Sequence, residues 1–187
     1  MVTSGPDPSC GDPSVGDSVL GDSALGVRFR RAARVIIVDP DDRVLMLRGH
    51  DADEPSRGWW FSIGGGLDDG ETSRAAALRE VREETGIELP DDALVGPVFT
   101  RSAVFDFAFE RWHQDEELFY ARVGPDTTLT TSGWTDLEGQ LLDDLRWFTL
   151  DELAGVDLEV YPLGLVDLVR GLLDGWDGVT RHLDETS

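Results

Sequence analysis

Cysteine occurs once in the 187 residues, as Cys10, so no intramolecular disulfide can form and a cytosolic, cytoplasmic location is expected. No apolar run approaches the roughly 20 residues that a bilayer-spanning helix requires. The N-terminus also lacks the basic segment followed by an apolar one that marks a secretory signal. Positive charge is scarce, with 16 basic residues against 38 acidic ones and a formal net charge of −22. That balance argues against an open surface tracking nucleic-acid phosphates and against docking on anionic membranes. A small phosphorylated ligand stays compatible with it, because divalent cations bridge carboxylates to phosphates. High solubility is the plainer meaning of the acidity.

The length suggests one domain, with apolar residues at 40% and aromatics at 9%, as in soluble globular proteins. Residues 1–26 are rich in Gly, Asp, Ser and Pro and repeat loosely as GDPSV, GDSVL and GDSAL. Such a leader buries too little apolar surface to offset its ordering entropy and is expected to be disordered. The ordered domain is expected over 27–175, followed by a polar tail over 176–187. Ala33–Val38 and Val44–Leu47 read as a hairpin around the turn chemistry of Pro40-Asp-Asp-Arg43. Trp59–Ile63, Leu94–Phe109, Glu117–Val123 and Leu145–Phe148 read as further strands, with His113, Gln114 and Asp115 in a turn. Thr149–Leu153 opens a short helix, and Leu163–Leu173 has the spacing of a terminal one. Strands interleaved with helices indicate an α/β or α+β layered fold.

The stretch GGGLDDGETSRAAALREVREETGIE, Gly64 to Glu88, reads as a glycine loop entering a helix. Thr72 or Ser73 can cap its start and Gly86 can close its end, with Ala75, Leu78, Val81 and Thr85 forming a core-facing stripe. Glu80, Glu83 and Glu84 converge on one face near the C-terminal end, where the carbonyl dipoles already point. Each like-charge neighbour costs roughly 0.2–0.5 kcal/mol. A solvated acidic surface would account for these residues, and so would a bound divalent cation. Mg²⁺ is a hard ion needing few carboxylates beside its waters and substrate phosphates, and a glycine loop can turn a backbone carbonyl toward the same ion.

The wider pattern favours the metal. Gly65, five residues, Glu71, seven residues, Arg79-Glu80-Val81, one residue, Glu83-Glu84, one residue and Gly86-Ile87 match Gly-x5-Glu-x7-Arg-Glu-U-x-Glu-Glu-x-Gly-U at every specified position, U being a bulky aliphatic. The chain therefore resembles the Nudix hydrolases (MutT-like), most clearly over Trp60–Ile87 and more loosely from Ala32 to Leu153. The resemblance implies an α/β/α sandwich around a mixed sheet. It also implies water-mediated cleavage of a nucleoside diphosphate linked to another group, X, with Mg²⁺ or Mn²⁺. By the same resemblance Glu80, Glu83 and Glu84 would be metal ligands, one of them also a general base, and the carbonyl of Gly64 or Gly65 would join them. Arg79 and Glu71 would brace the loop against the helix, with Gly65 and Gly86 shaping the backbone, and Gly65 and Gly66 would face substrate. An additional acid from a later loop matches Glu138 best, with Glu116 and Glu117 as rivals. A homodimer is common in the family.

Ile63 stands where the family usually has Pro before the glycine pair, which leaves φ at that position free. Arg48, ending the second strand, is a candidate phosphate contact and equally a surface arginine. Trp59, Trp60, Trp112 and Trp134 could stack on a base or fill the core, and Trp147 reads as core. Cys10 has no activating neighbourhood. The alternative function is a catalytically weak, nucleotide-binding regulator, against which the intact Glu80, Glu83 and Glu84 argue. An EF-hand calcium module is disfavoured by the lack of alternating oxygen ligands.

Overall fold

The computed structural model describes residues 27–107, 110–136 and 138–184, the side chains of residues 105–107, 110 and 138 excepted. The expected leader over 1–26, with Cys10, lies outside the described residues. β1 (Val27–Val38) forms the backbone of the fold because its last four residues, Val35-Ile-Ile-Val38, are apolar and fully buried. Burying each such side chain stabilises the fold by roughly 1.5–3 kcal/mol. β1 pairs antiparallel with β2 (Val44–His50) at Val38↔Val44, antiparallel with β4 (Ile63–Gly66), and parallel with β6 (Glu110–Arg122) over its whole length. β3 (Gly58–Phe61), β5 (Val95–Phe107), β7 (Leu142–Phe148), β8 (Glu159–Tyr161) and β9 (Arg181–Leu183) complete a mixed sheet of order β8-β3-β2-β1-β6-β5-β9. β4 joins it on β1 and β7 on β2.

Alternation along β1 sends Ala33, Val35 and Ile37 to one face and Ile36 and Val38 to the other. The first face is covered by α1 (Ser73–Thr85) through Ala76, Ala77 and Val81. The second is covered by α3 (Leu150–Ala154) and α4 (Leu165–Leu172) through Leu153, Leu165, Val169 and Leu172. Helices on both faces of one mixed sheet give the expected α/β/α arrangement. α2 (Glu138–Leu141) is a single turn, and a 3-10 turn spans Asp91–Ala93. Among the described residues no helix is long and apolar enough to cross a membrane.

Three local expectations need correction. His113, Gln114 and Asp115 lie inside β6 rather than in a turn, hydrogen-bonded to strands on both sides. The Trp59–Ile63 strand is two strands broken at Ser62, since β3 follows β2 while β4 crosses to β1. On α1 the buried residues are Ala76, Ala77, Glu80, Val81, Glu84 and Thr85, and Ala75 is exposed. The helix is rotated so that its small residues and two of its glutamates meet the sheet. Paired small side chains let it come close enough for those carboxyls to reach the glycine strand.

Candidate active site

α1 is fixed at both ends. Thr72 Oγ1 accepts from the Ala75 amide at 3.2 Å, and Gly86, at φ 73°, closes the helix with its N–H on the Arg82 carbonyl. The loop after β6 then takes two carbonyls from the last turn. The Thr130 N–H donates to Thr85 O and Trp134 Nε1 to Glu84 O, each at 2.9 Å. These donors offset the negative helix end that made the acid cluster look costly.

The acids themselves also have partners. Arg79 donates to Glu71 through Nε and Nη2 at 3.0 and 2.9 Å, to Glu80 Oε1 at 2.8 Å, to Glu83 Oε2 at 3.1 Å and to the Gly66 carbonyl at 2.9 Å. Glu84 Oε2 accepts the Gly64 N–H at 2.7 Å. The acids of the cluster thus have partners within the chain itself. Among the described residues no three His, Cys, Asp or Glu side chains are gathered as a ready-made metal cage. The sequence-predicted groups are nevertheless neighbours. Gly65 allows the Glu80 carboxylate so close that a Cβ there would lie 2.7 Å from its Oε1. Gly64, at φ 133°, would put a Cβ 2.2 Å from the Ala33 carbonyl oxygen.

Gly64 links two sides of the site. Its N–H meets Glu84, while its carbonyl accepts from Arg34 Nη1 at 2.8 Å. Arg34, on β1, also donates to the Ser62 carbonyl at 3.0 Å and to Glu116 Oε1 at 3.2 Å. It lines a cleft of about 370 Å³ together with Arg30, Arg101, Phe61, Glu116 and Tyr161. Trp59 and His50 are on the same rim.

The electrostatics separate the acids. Burial pushes the Glu80 carboxyl up from its ordinary value, against the pull of Arg79 and Arg34. Glu71 is pulled down by its hydrogen bonds from Arg79, and Arg79 is held above the usual arginine value by the same bonds. Burial would raise Glu116, but Arg34 and Arg101 outweigh it and hold that carboxyl low. Glu117 accepts from Ser73 Oγ and lies 3.8 Å from Arg31. Neither rival acid is therefore unpartnered. The side chain of Glu138, at the start of α2, lies outside the described residues.

Arg48 lies on β2 with Nε 3.7 Å from Asp143 and does not line the cleft, nor do Gly65 and Gly66. Trp60 is core, edge-to-face with Phe148, and Trp147 packs in the cluster under α1. Trp112 lies beneath the guanidinium groups of Arg28 and Arg30, and His113 meets the Phe29 ring edge-on. Arg30, Arg34, Arg101, Gln114 and Tyr161 escaped the sequence reading. Their signal is a set of polar residues at alternate strand positions, readable only once the register of β1, β5 and β6 is known.

The NUDIX domain model matches residues 28–164. An uncharacterised Nudix hydrolase of Bacillus subtilis (strain 168) is 44% identical over 64 residues, 34% of this chain and 37% of the relative. Dihydroneopterin triphosphate diphosphatase of Escherichia coli (strain K12) is 32% identical over 100 residues, 54% of this chain and 59% of the relative. The chain thus spans between about a third and three fifths of these relatives' lengths. In fold, it is similar to the E. coli dihydroneopterin triphosphate pyrophosphohydrolase, with TM-score 0.56 and 21% identity over 78% of this chain and 97% of that one. It is also similar to the NUDIX domain of Shewanella oneidensis NrtR complexed with ADP ribose, with TM-score 0.57 and 17% identity over 76% and 86%. A family match running from residue 28 to residue 164 covers well over half of the sequence, and the chain belongs to the NUDIX domain family.

Proposed function

We propose that the protein is a metal-dependent pyrophosphohydrolase that cleaves the diphosphate linkage of a nucleoside diphosphate joined to X. The observation that carries this reading is the double engagement of Gly64, which puts the acidic face of α1 and the arginine-lined cleft on opposite sides of one backbone unit. Support also comes from relatives named for pyrophosphate chemistry, the E. coli dihydroneopterin triphosphate diphosphatase and the RNA pyrophosphohydrolase of Caulobacter vibrioides, 27% identical over 135 residues.

The donor set is all hard oxygen, which fits Mg²⁺ or Mn²⁺. Glu80, Glu83, Glu84 and the Gly64 carbonyl would hold it, and Glu138 is the candidate for an additional acid. A bound dication supplies charge neutralisation at the phosphoryl oxygens and a lowered pKa for its water. Arg79 holds Glu71, Glu80, Glu83 and the Gly66 carbonyl in one constellation, so it orients the acids. Arg34 donates to the Gly64 carbonyl and to Glu116, so a cation held by that carbonyl would share it with the guanidinium or displace it. Glu80, its carboxyl raised by burial, is a candidate to take a proton from the attacking water. Arg48 remains a candidate phosphate contact at the edge of β2, and Gly65 and Gly66 keep the loop backbone open to substrate.

The substrate is a small nucleotide derivative. A cytoplasmic location and a homodimer are part of the same reading, the latter to be measured by light scattering. Release of phosphate or nucleotide from a panel of nucleoside diphosphate derivatives with Mg²⁺ tests the activity. Tight binding without turnover across the panel would replace the hydrolase with a nucleotide-binding regulator.

A further inference from the structure

β3 and β8 bring three rings to the wall of the cleft, Trp59, Phe61 and Tyr161. Parallel register sets Phe61 beside Tyr161 and Trp59 beside Glu159. Alternation along β3 puts Trp59 and Phe61 on one face while Trp60 turns to the core. Two of the three rings are already covered. The Arg34 guanidinium lies over Phe61 at 5.3 Å, and that of Arg101 lies over Tyr161 at 6.0 Å. Glu116 fixes both covers, with Arg34 Nε 3.2 Å from its Oε1 and Arg101 Nη2 2.6 Å from its Oε2.

Trp59 has no such cover. Among the described residues no ring or guanidinium stacks on its indole, and no acceptor takes its Nε1 hydrogen. Its neighbours in the sheet leave it bare. Gly49, opposite on β2, has no side chain, and a Cβ there would lie 3.1 Å from the Phe61 ring. Glu159, opposite on β8, accepts from the Tyr161 hydroxyl at 3.2 Å and is engaged along its own strand. Trp59 is half-buried, which anchors it in the wall. Charge does not choose the ligand here, because Asp51, Glu116 and Glu159 share the lining with the arginines. What the cleft offers uncovered is a broad, flat apolar face, which a planar ring would remove from water.

We propose that Trp59 is the stacking platform of the cleft and takes the heteroaromatic ring of a nucleoside derivative against its indole. Stacking uses the π-face of a base rather than its hydrogen-bonding edge, so the platform accepts purines and pyrimidines alike. Arg34 and Arg101, by covering the other two rings, leave Trp59 as the place where the base settles. Gly49 is the positioning residue that keeps β2 from filling the space beside it. The inference rests on the hydrolase reading in taking the ligand to be a nucleotide, and it deepens that reading by seating the base in the cleft.

The test compares AMP with ribose 5-phosphate, which differ by the adenine alone and carry no diphosphate to cleave. Calorimetry with Mg²⁺ present gives the affinity of each. AMP should bind at least about tenfold more tightly, the size expected of one stacked base. Trp59→Leu, which keeps an apolar side chain without a ring, should bring that ratio near one by weakening AMP alone. Trp59→Phe should keep part of it. The indole N–H resonance that disappears in Trp59→Phe should shift in the wild type with AMP and stay in place with ribose 5-phosphate. Circular dichroism checks that both variants fold. Equal affinity for the two compounds in the wild type, equal loss of both in Trp59→Leu, or no AMP binding at millimolar concentration would overturn the platform. Absence of nucleotide release from nucleoside diphosphate derivatives, with the AMP preference preserved, would remove the hydrolase reading and leave the platform standing.

Discussion

Glu80 is buried at the point where α1 meets the glycine strand, and its environment works against its charge. Burial raises the carboxyl, so the folded state favours the protonated form and the ionised form costs stability above that raised value. As pH falls through it the cost disappears. Glu80→Gln in metal-free buffer is therefore expected to melt at or above the wild-type temperature at pH 7, with the difference vanishing on acidification. The same variant should lose at least about 10²-fold in kcat, because a carboxamide cannot accept the proton of water. Thermal melts and turnover on one preparation check both arms. A stability gain joined to an activity loss is the signature of a strained functional residue, whereas a lower melting temperature would make Glu80 a structural partner of Arg79. Glu84→Gln differs: it weakens a 2.7 Å bond to the Gly64 amide, so both stability and kcat should fall.

At the scale of elements, α1 is held by neighbours at both ends, and its position depends on close contacts that only glycine permits. Gly65→Ala would press a methyl group against the Glu80 carboxylate, which Arg79 already holds, and is expected to cost about 1–3 kcal/mol in denaturant melts. Trp134→Phe removes the indole donor from the Glu84 carbonyl and should cost about 1 kcal/mol, with kcat reduced because the same residue carries a site carboxyl. Much of this was legible beforehand. The apolar run of β1, a cap at Thr72 or Ser73, the Gly86 stop and a short helix from Thr149 are local signals, and the structure has each of them, with Thr72 as the cap. The polar half of β6 was not legible. Trp112-His-Gln-Asp-Glu-Glu117 has turn-like polarity, and it becomes a strand because β1 and β5 flank it with twelve- and ten-residue ladders. Rotation of α1 escaped for a related reason: a carboxylate stripe reads as solvent-facing until Arg79 and the Gly64 amide are known to await it.

At the scale of the whole molecule, acidity and the buried arginine wall set opposite demands. Self-repulsion at −22 destabilises the compact state, so added salt should raise the melting temperature at neutral pH. The buried clamp needs its carboxylate ionised. Arg34 and Arg101 hold Glu116 below the ordinary carboxylate value, so its contribution is complete above an unfolded value of about 4.3 and is lost as pH falls through the lower folded one. Glu116→Gln, which leaves the guanidinium groups of Arg34 and Arg101 without the anion they share, should cost about 3–5 kcal/mol at pH 7. The gap to wild type should narrow below pH ~4. A gap independent of pH would show that packing, rather than charge, holds that wall.

The central claim is that the acids of α1, beside the glycine strand, carry out metal-dependent hydrolysis of a diphosphate. Its most direct test is nucleotide release from nucleoside diphosphate derivatives by wild type and Glu83→Gln, with Mg²⁺ and with chelator. Glu83 is the half-exposed member of the trio and its loss should leave folding intact. Turnover that needs Mg²⁺ and falls by at least about 10²-fold in the variant is the predicted result. Equal rates for the two proteins, or rates indifferent to chelator, would contradict the account.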